Sequence, residues 1–474
     1  MSSISAKGLR AGTVFLGGLL MLACATPAIA DPKPLTKEEQ AKVDQAIDKG
    51  VAFLKKAQTK DGDFGWKMYN DGRYLVGQCA LPAYALLESG VSADDPVIQK
   101  AAEFLRRVTP LTDHTYELPL AILFFDRLGD PKDKKLIQGC ALRLIAGQHR
   151  TGGWAYRCPI LDDKNATDLL SCLEELNKRM KGGERTRGQA LEEIEVPAAL
   201  QSLTVFQSPN RLSWRDPELT ADAKVDALNR VSLDGWTDNS NTQFALLGLW
   251  AARRHDVRVD STLEISVERF ERFHIYPGGF WLYGSDKELS ARSRRSMTCV
   301  GLIALAIGRG LKLSTPGSPV EGGKDVHVLR GLAALSRQIG KPSGDFQKRR
   351  AHEELYFLWS VERVGMLFNL PTIGDKDWYR WGAEGLLSNQ TRSGWWPDVP
   401  PERAFSEKAK PYKSTLCTSF ALLFLKRSHP MKDLTAKLPF TAKELSEGIA
   451  SLRPKDTFPV RIIASPSPSR DKKP

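Results

Sequence analysis

The chain has 474 residues, 42% hydrophobic and 26% charged, the balance of an ordinary globular protein. Its formal net charge of +12 fits a solvated basic surface drawn to anionic membranes or polymers, and no nucleic-acid-binding motif accompanies that charge. Seven cysteines are too few to staple a protein of this size, which excludes a disulfide scaffold.

Residues 1–30 read as a signal peptide: Lys7 and Arg10 form the basic start, Val14 to Ala25 the apolar run, and Ala28-Ile29-Ala30 the cleavage site before Asp31. Removing Lys7 and Arg10 lowers the formal charge from +12 by two, to +10. The run is too short to span a bilayer, so export to a periplasmic or extracellular space is expected. A weak lipoprotein-like box, Leu22-Ala23-Cys24, offers the alternative of a lipidated Cys24.

After the signal, one unit recurs. GVAFLKKAQTKDGDFGW places Gln58 four residues before Gly62 and eight before Trp66, and CALRLIAGQHRTGGWAY places Gln148 four before Gly152 and six before Trp154. SVERFERFHIYPGGFWLY has His274 where Gln would stand, then Gly278, Phe280 and Trp281. The last copy sets Gln390 four before Gly394 and six before Trp396. Each copy is an amphipathic helix, a Gly/Trp loop and a more apolar helix. The Gly stops the first helix, the Gln is expected to bond backbone groups freed between helices, and the aromatic ring fills the wedge between the pair. A hairpin with two apolar faces must stack on others.

This spacing resembles the repeat of squalene and oxidosqualene cyclases, shared more loosely by protein prenyltransferase β subunits. The resemblance covers roughly residues 40–428. It implies an all-α fold, an (α/α)6 toroid of six helical hairpins with a helical insertion.

Apolar periodicity gives outer helices near 41–58, 95–108, 132–148, 260–274, 324–339 and 376–390. Inner helices fall near 73–89, 114–128, 238–254, 295–309, 352–369 and 413–427. Outer helices carry mixed charge and inner ones are apolar nearly all round, as a double ring requires. Toroid residues therefore run from 31 to 430. All outer-to-inner loops share one rim, and most are long, which places function there. The insertion 157–234 is expected to hold helices over 168–181 and 188–203, acting as a lid or as packing. Residues 431–474 form a C-terminal extension with little period and a disordered end. Cys79, Cys299 and Cys417 sit in apolar helices as core residues, whereas Cys140, Cys158 and Cys172 leave room for one bridge of undetermined pairing.

The chemistry implied by the resemblance is missing its motifs. The cyclase acid Asp-x-Asp-Asp is absent; Asp61-Gly-Asp63 and Asp375-Lys-Asp377 keep two acids each and read as turns or caps. The prenyltransferase Asp-x-Cys zinc motif fails too, with Met297 before Cys299, Gly77 before Cys79 and Thr415 before Cys417. A Cys299/His352 pair does not make a zinc site, so no metal and no cofactor is expected. Gly77-Gln78-Cys79 resembles the start of a complement-type thioester, but Pro82 stands where its Gln is needed.

A polar set gathers at inner-helix starts: Arg73, Tyr74, His114, Tyr116, Glu117, Asp238, Asn239, Asn241, His352, Glu353, Glu354 and Tyr412. N-capping accounts for Asp238 and Asn239. Alternatively, Glu117, Glu353, Glu354 and Asp238 are catalytic carboxylates, with Trp281, Tyr283, Trp395, Trp396, His114, Tyr116, Asn239, Asn241 and His352 as binding residues. Glu362-Arg363 is either a structural ion pair or part of the cavity wall. Three functions follow as expectations. The first is an exported toroid acting as a scaffold or as a binding module for an apolar or isoprenoid molecule, the second a carbohydrate-active enzyme using rim carboxylates and aromatics, and the third a cyclase- or prenyltransferase-type enzyme with displaced acids. The expected partners are an apolar small molecule or a glycan and, peripherally, a membrane, with no nucleic acid. The chain is expected to be a monomer.

Overall fold

The computed structural model describes residues 34–64, 74–180, 185–207, 237–274, 278–283, 287–311, 325–340, 351–397 and 411–452. The expected signal peptide, Trp66, residues 208–234 of the insertion and the end of the tail lie outside them. Elements start where capping chemistry puts them. Helix α1 (Lys37–Ala57) opens on a capping box: Thr36 Oγ1 accepts from Glu39 N at 3.2 Å, and Thr36 N donates to the Glu39 carboxylate at 2.7 Å. Asp95 caps α3 (Pro96–Val108), with Pro96 in its first turn, and Asp377 caps α13 (Trp378–Asn389).

Six inner helices form a closed ring. They are α2 (Leu75–Glu88), α4 (Glu117–Leu128), α8 (Asn239–Ala252), α10 (Lys287–Gly310), α12 (Ala351–Leu367) and α14 (Pro411–Lys426). Each packs against the next, and α14 returns to pack against α2. An outer layer consists of α1, α3, α5 (Lys134–Ala146), α9 (Asp260–Arg272), α11 (Val326–Ser336) and α13. All residues of α8 are buried, whereas α1 buries only a stripe, Val43, Ala46, Ile47, Gly50 and Leu54. The fold is therefore an all-α toroid.

The repeated loop clamps one outer helix to the next. Gln58 Nε2 donates to Gly62 O of its own loop and to Val97 O of α3, at 3.1 and 2.7 Å. Gln148 reaches Gly152 O and Thr262 O of α9; Gln390 reaches Gly394 O and Ala46 O of α1. Three residues further along each receiving helix, a carbonyl (Lys100, Ile265 or Lys49) lies against Gly62, Gly152 or Gly394, all at positive φ and too close for a Cβ. The Gln therefore spans to the next repeat rather than satisfying only its own helix end. The copy ending at Trp396 joins the last repeat to α1 and so closes the outer ring.

Two details of the repeat differ from expectation. In the first copy the ring at the wedge position is Phe64, buried six residues after Gln58, so the regular spacing holds there without Trp66. In the third copy Gly279, not Gly278, meets the next helix at Arg330 O. His274 takes over the bridging role: its Nδ1 lies 2.8 Å from His327 Nδ1 in the first turn of α11, and its ring stacks on Trp281 at 4.3 Å.

The described insertion packs outside the ring. Helix α6 (Asp163–Met180) buries Leu169, Leu173 and Leu176, packs on α5, and meets α9 where Ser261 Oγ reaches Met180 Sδ. The expected second helix stops early, as α7 (Arg187–Leu191). An acidic run at Glu192, Glu193 and Glu195 opposes the helix dipole, and Pro197 disfavours helix at Val196. The extension is more ordered than its weak period suggested: α15 (Lys432–Thr435) and α16 (Ala442–Ser451) follow the ring. Thr441 and Glu444 form a capping box on α16, and its buried Leu445 and Gly448 face the side of α11. All six described cysteines are free, so Cys140, Cys158 and Cys172 form no bridge among themselves. Among the described residues no helix is long and apolar enough to cross a membrane.

Candidate functional site: the central cavity

The N-terminal parts of all six inner helices converge on a cavity of about 430 Å³, within the range that holds a small organic ligand. Its walls come from Tyr74, Gln78, Leu81 and Pro82 near the start of α2, Tyr116, Glu117 and Leu120 of α4, and Ser240 and Phe244 of α8. Arg295 and Met297 of α10, Glu353 and Tyr356 of α12, Leu416 and Phe420 of α14, and the loop residue Tyr283 complete it. Aromatic faces dominate. Phe244 meets Tyr116 edge-on at 5.2 Å and Tyr356 in a stack at 6.3 Å.

Glu117 is buried in this wall. Its carboxylate accepts from Gly77 N at 2.9 Å and from Thr112 Oγ1. Helix α2 lacks a side-chain cap of its own, because Tyr74 at its N-cap is left-handed with φ 61°. Glu117 thus caps α2 from the neighbouring helix. Burial pushes its carboxyl up, and the hydrogen bonds from Thr112 and Gly77 oppose that rise. Tyr356 Oη donates to Gln243 Oε1 and accepts from Ser240 Oγ at 3.2 Å. Tyr283 Oη lies 3.2 Å from Tyr156 Oη. Burial raises the phenols of Tyr116, Tyr283 and Tyr356, and the nearby Asp238 carboxylate adds to each shift.

Of the polar and aromatic residues singled out from sequence, Tyr74, Tyr116, Glu117, Tyr283 and Glu353 line the cavity, and the others described do not. Glu354 is buried behind the wall in an ion pair with Arg295. Asp238 is the N-cap of α8, accepting from Asn241 N and Asn241 Nδ2, both at 2.7 Å, so its oxygens and Asn241 are committed to the cap. Burial raises its carboxyl. Asn239 donates to Leu282 O and accepts from Arg269 Nε, whose guanidinium burial lowers to about 10.

His114 lies outside the wall against Tyr74, with ring centres 4.6 Å apart and planes tilted by 41°. Trp281 and Trp396 are buried wedges whose Nε1–H groups donate to Phe270 O and Leu386 O at 2.7 and 2.9 Å. Each indole satisfies a carbonyl in the last turn of its outer helix, as Trp154 does for Leu144 O. Trp395 packs on Phe53 at 6.2 Å between ring centres. The expected groove of carboxylates and tryptophans is therefore not assembled. The side chain of His352 lies outside the described residues. Glu362-Arg363 is a buried ion pair, Arg363 Nε to Glu362 Oε2 at 2.6 Å, and burial pushes the Glu362 carboxyl up to about 8.

Sequence reading missed Gln78, Leu81, Leu120, Phe244, Arg295, Tyr356 and Phe420. A usable signal existed in the pairs Tyr74/Gln78, Tyr116/Leu120, Ser240/Phe244 and Leu416/Phe420, each four residues apart at an inner-helix start and hence on one face.

No protein-family model matches the sequence, and no curated protein matches it. Solved structures do match it. One is described as the type II terpene cyclase MstE_D109A from Scytonema in complex with merosterolic acid A, with 13% identity, a TM-score of 0.45, and coverage of 84% of this chain and 100% of that chain. The ring described above stands on its own helix contacts and does not depend on that likeness.

Proposed function

We propose that this toroid binds a largely apolar small molecule in its central cavity and performs no standard cyclase chemistry. One observation supports the reading most: all six inner helices turn apolar or aromatic side chains, among them Leu81, Leu120, Phe244 and Phe420, toward one central cavity instead of packing it shut. A folded protein leaves such a space at a cost in lost contacts, which a ligand offsets. The test is titration with N-phenyl-1-naphthylamine, a neutral apolar dye that fluoresces on leaving water. Saturable enhancement supports the reading; its absence with folded protein would remove it.

Glu117 favours a second reading, proton donation to an alkene, because its carboxyl is buried and raised beside apolar walls. Both its oxygens already accept hydrogen bonds, from Gly77 N and Thr112 Oγ1, so the capping role is preferred. Export is part of the proposal and is supported by residues 1–30. N-terminal sequencing of the mature protein tests it, with Asp31 first expected and a lipidated Cys24 the contrary result. Contact with an anionic membrane is supported by the exposed Leu111 and Ile160, on loops that Arg143 ties together through Pro110 O and Pro159 O. Salt-sensitive co-sedimentation with anionic vesicles is the expected outcome.

A further inference from the structure

The charges on the described part of the cavity wall do not cancel. Among the described lining residues are two carboxylates, Glu117 and Glu353, and one cation, Arg295. The Arg295 guanidinium is already taken by Glu354 behind the wall, and its plane lies over the Phe357 ring at 4.5 Å. Glu353 has no ion-pair partner among the described residues, and Gln78 Oε1 is buried with nothing donating to it. An acceptor left unpaired inside a protein is costly unless a donor arrives. Among the described residues the cavity therefore offers a spare carboxylate and several aromatic faces, its wall holds an unpaired amide oxygen, and its one cation is already neutralised. Aromatic faces carry negative potential and attract cations.

From this we infer that the ligand is a cationic amphiphile, an apolar body ending in a protonated amine whose N–H groups meet Glu353. The inference rests on the cavity being the ligand site. A fatty carboxylate is the wrong partner, because it would face Glu353 and find Arg295 occupied. A fatty alcohol satisfies one acceptor without answering the charge. The amine does both.

Displacement of bound N-phenyl-1-naphthylamine by dodecylamine, dodecanol and dodecanoate, each below its micelle concentration at low ionic strength, separates these cases. Dodecylamine is expected to displace the dye at about tenfold lower concentration than dodecanol, the ratio set by one partly buried ion pair, with dodecanoate weakest. Glu353→Gln is expected to shrink the amine-to-alcohol ratio to about threefold or less, and raising the salt concentration should also reduce it. Because the readout is a ratio within one protein, a general loss of fold does not imitate it. Equal displacement by amine and alcohol, or dodecanoate matching the amine, overturns the head-group inference and leaves the apolar cavity reading intact. Dye that binds saturably but yields to none of the three overturns both.

Discussion

Gly152→Ala tests the clamp between repeats. Gly152 has φ +78°, where an Ala side chain costs about 1–2 kcal/mol. Its Cβ would also overlap Ile265 O and sit 2.9 Å from Ile265 C and 3.2 Å from Ser266 Cα, so α9 must move away from the loop. Forcing that movement costs about 1–3 kcal/mol, and stretching the Gln148 bonds to Thr262 O and Ser266 Oγ costs roughly 1 kcal/mol more. The total is about 3–6 kcal/mol. Gly129 supplies the control: its φ is +75°, but an added Cβ meets nothing within 4 Å, so Gly129→Ala should cost only about 1–2 kcal/mol. Urea unfolding followed by circular dichroism measures both. Equal losses at the two positions would refute the idea that the loop glycine is required by the next repeat rather than by its own turn.

Trp396→Phe removes the donor to Leu386 O and part of a buried ring, and should cost about 2–4 kcal/mol in the same assay. His274→Gln tests the substituted clamp through pH. Burial lowers both His274 and His327, so the unfolded chain binds protons more tightly, and stability held above the ordinary histidine range falls as pH drops below about 6.5. The groups facing the pair are Arg330, Arg309, Asp325 and Glu271, all retained in the variant. Glu362, raised to about 8, acts in the opposite sense, taking up protons in the folded state between about pH 8 and 4.5, and it is also unchanged. Between pH 6.5 and 5 the variant should therefore lose stability less steeply than the parent, by up to about 1.4 kcal/mol per pH unit. Parallel curves would mean the histidines do not titrate against folding.

The scaffold was legible because its punctuation is local. Gln148, Gly152 and Trp154 state a helix end, a turn and a wedge within seven residues, and apolar periodicity then places the ring helices to within a few residues, except that α10 begins at Lys287 rather than near 295, in a polar stretch that carries no apolar period. The short capping box at Thr441 and Glu444 was equally local, but it was lost in a polar tail. The site was harder to read because α8 is buried on every side, so no moment marks the face that turns to the cavity rather than to the neighbouring helices. Residues conspicuous in the sequence misled for the same reason. Trp281 and Trp396 are large and rim-adjacent, yet each has its one donor committed to a helix-end carbonyl, a fact of geometry that spacing does not carry. Glu117 shows the reverse: its role as a cap for α2 needs a contact across 40 residues.

Native mass spectrometry of the protein after incubation with extracted cellular lipids, run beside Leu120→Trp, tests the central cavity as a ligand site most directly. Leu120 lines that cavity, and an indole in its place fills the space while leaving the helix starts and the Gly/Trp loops alone. The account predicts a retained small-molecule adduct on the parent protein that is absent from the variant. An adduct of equal abundance on both proteins, or none on either, would contradict it.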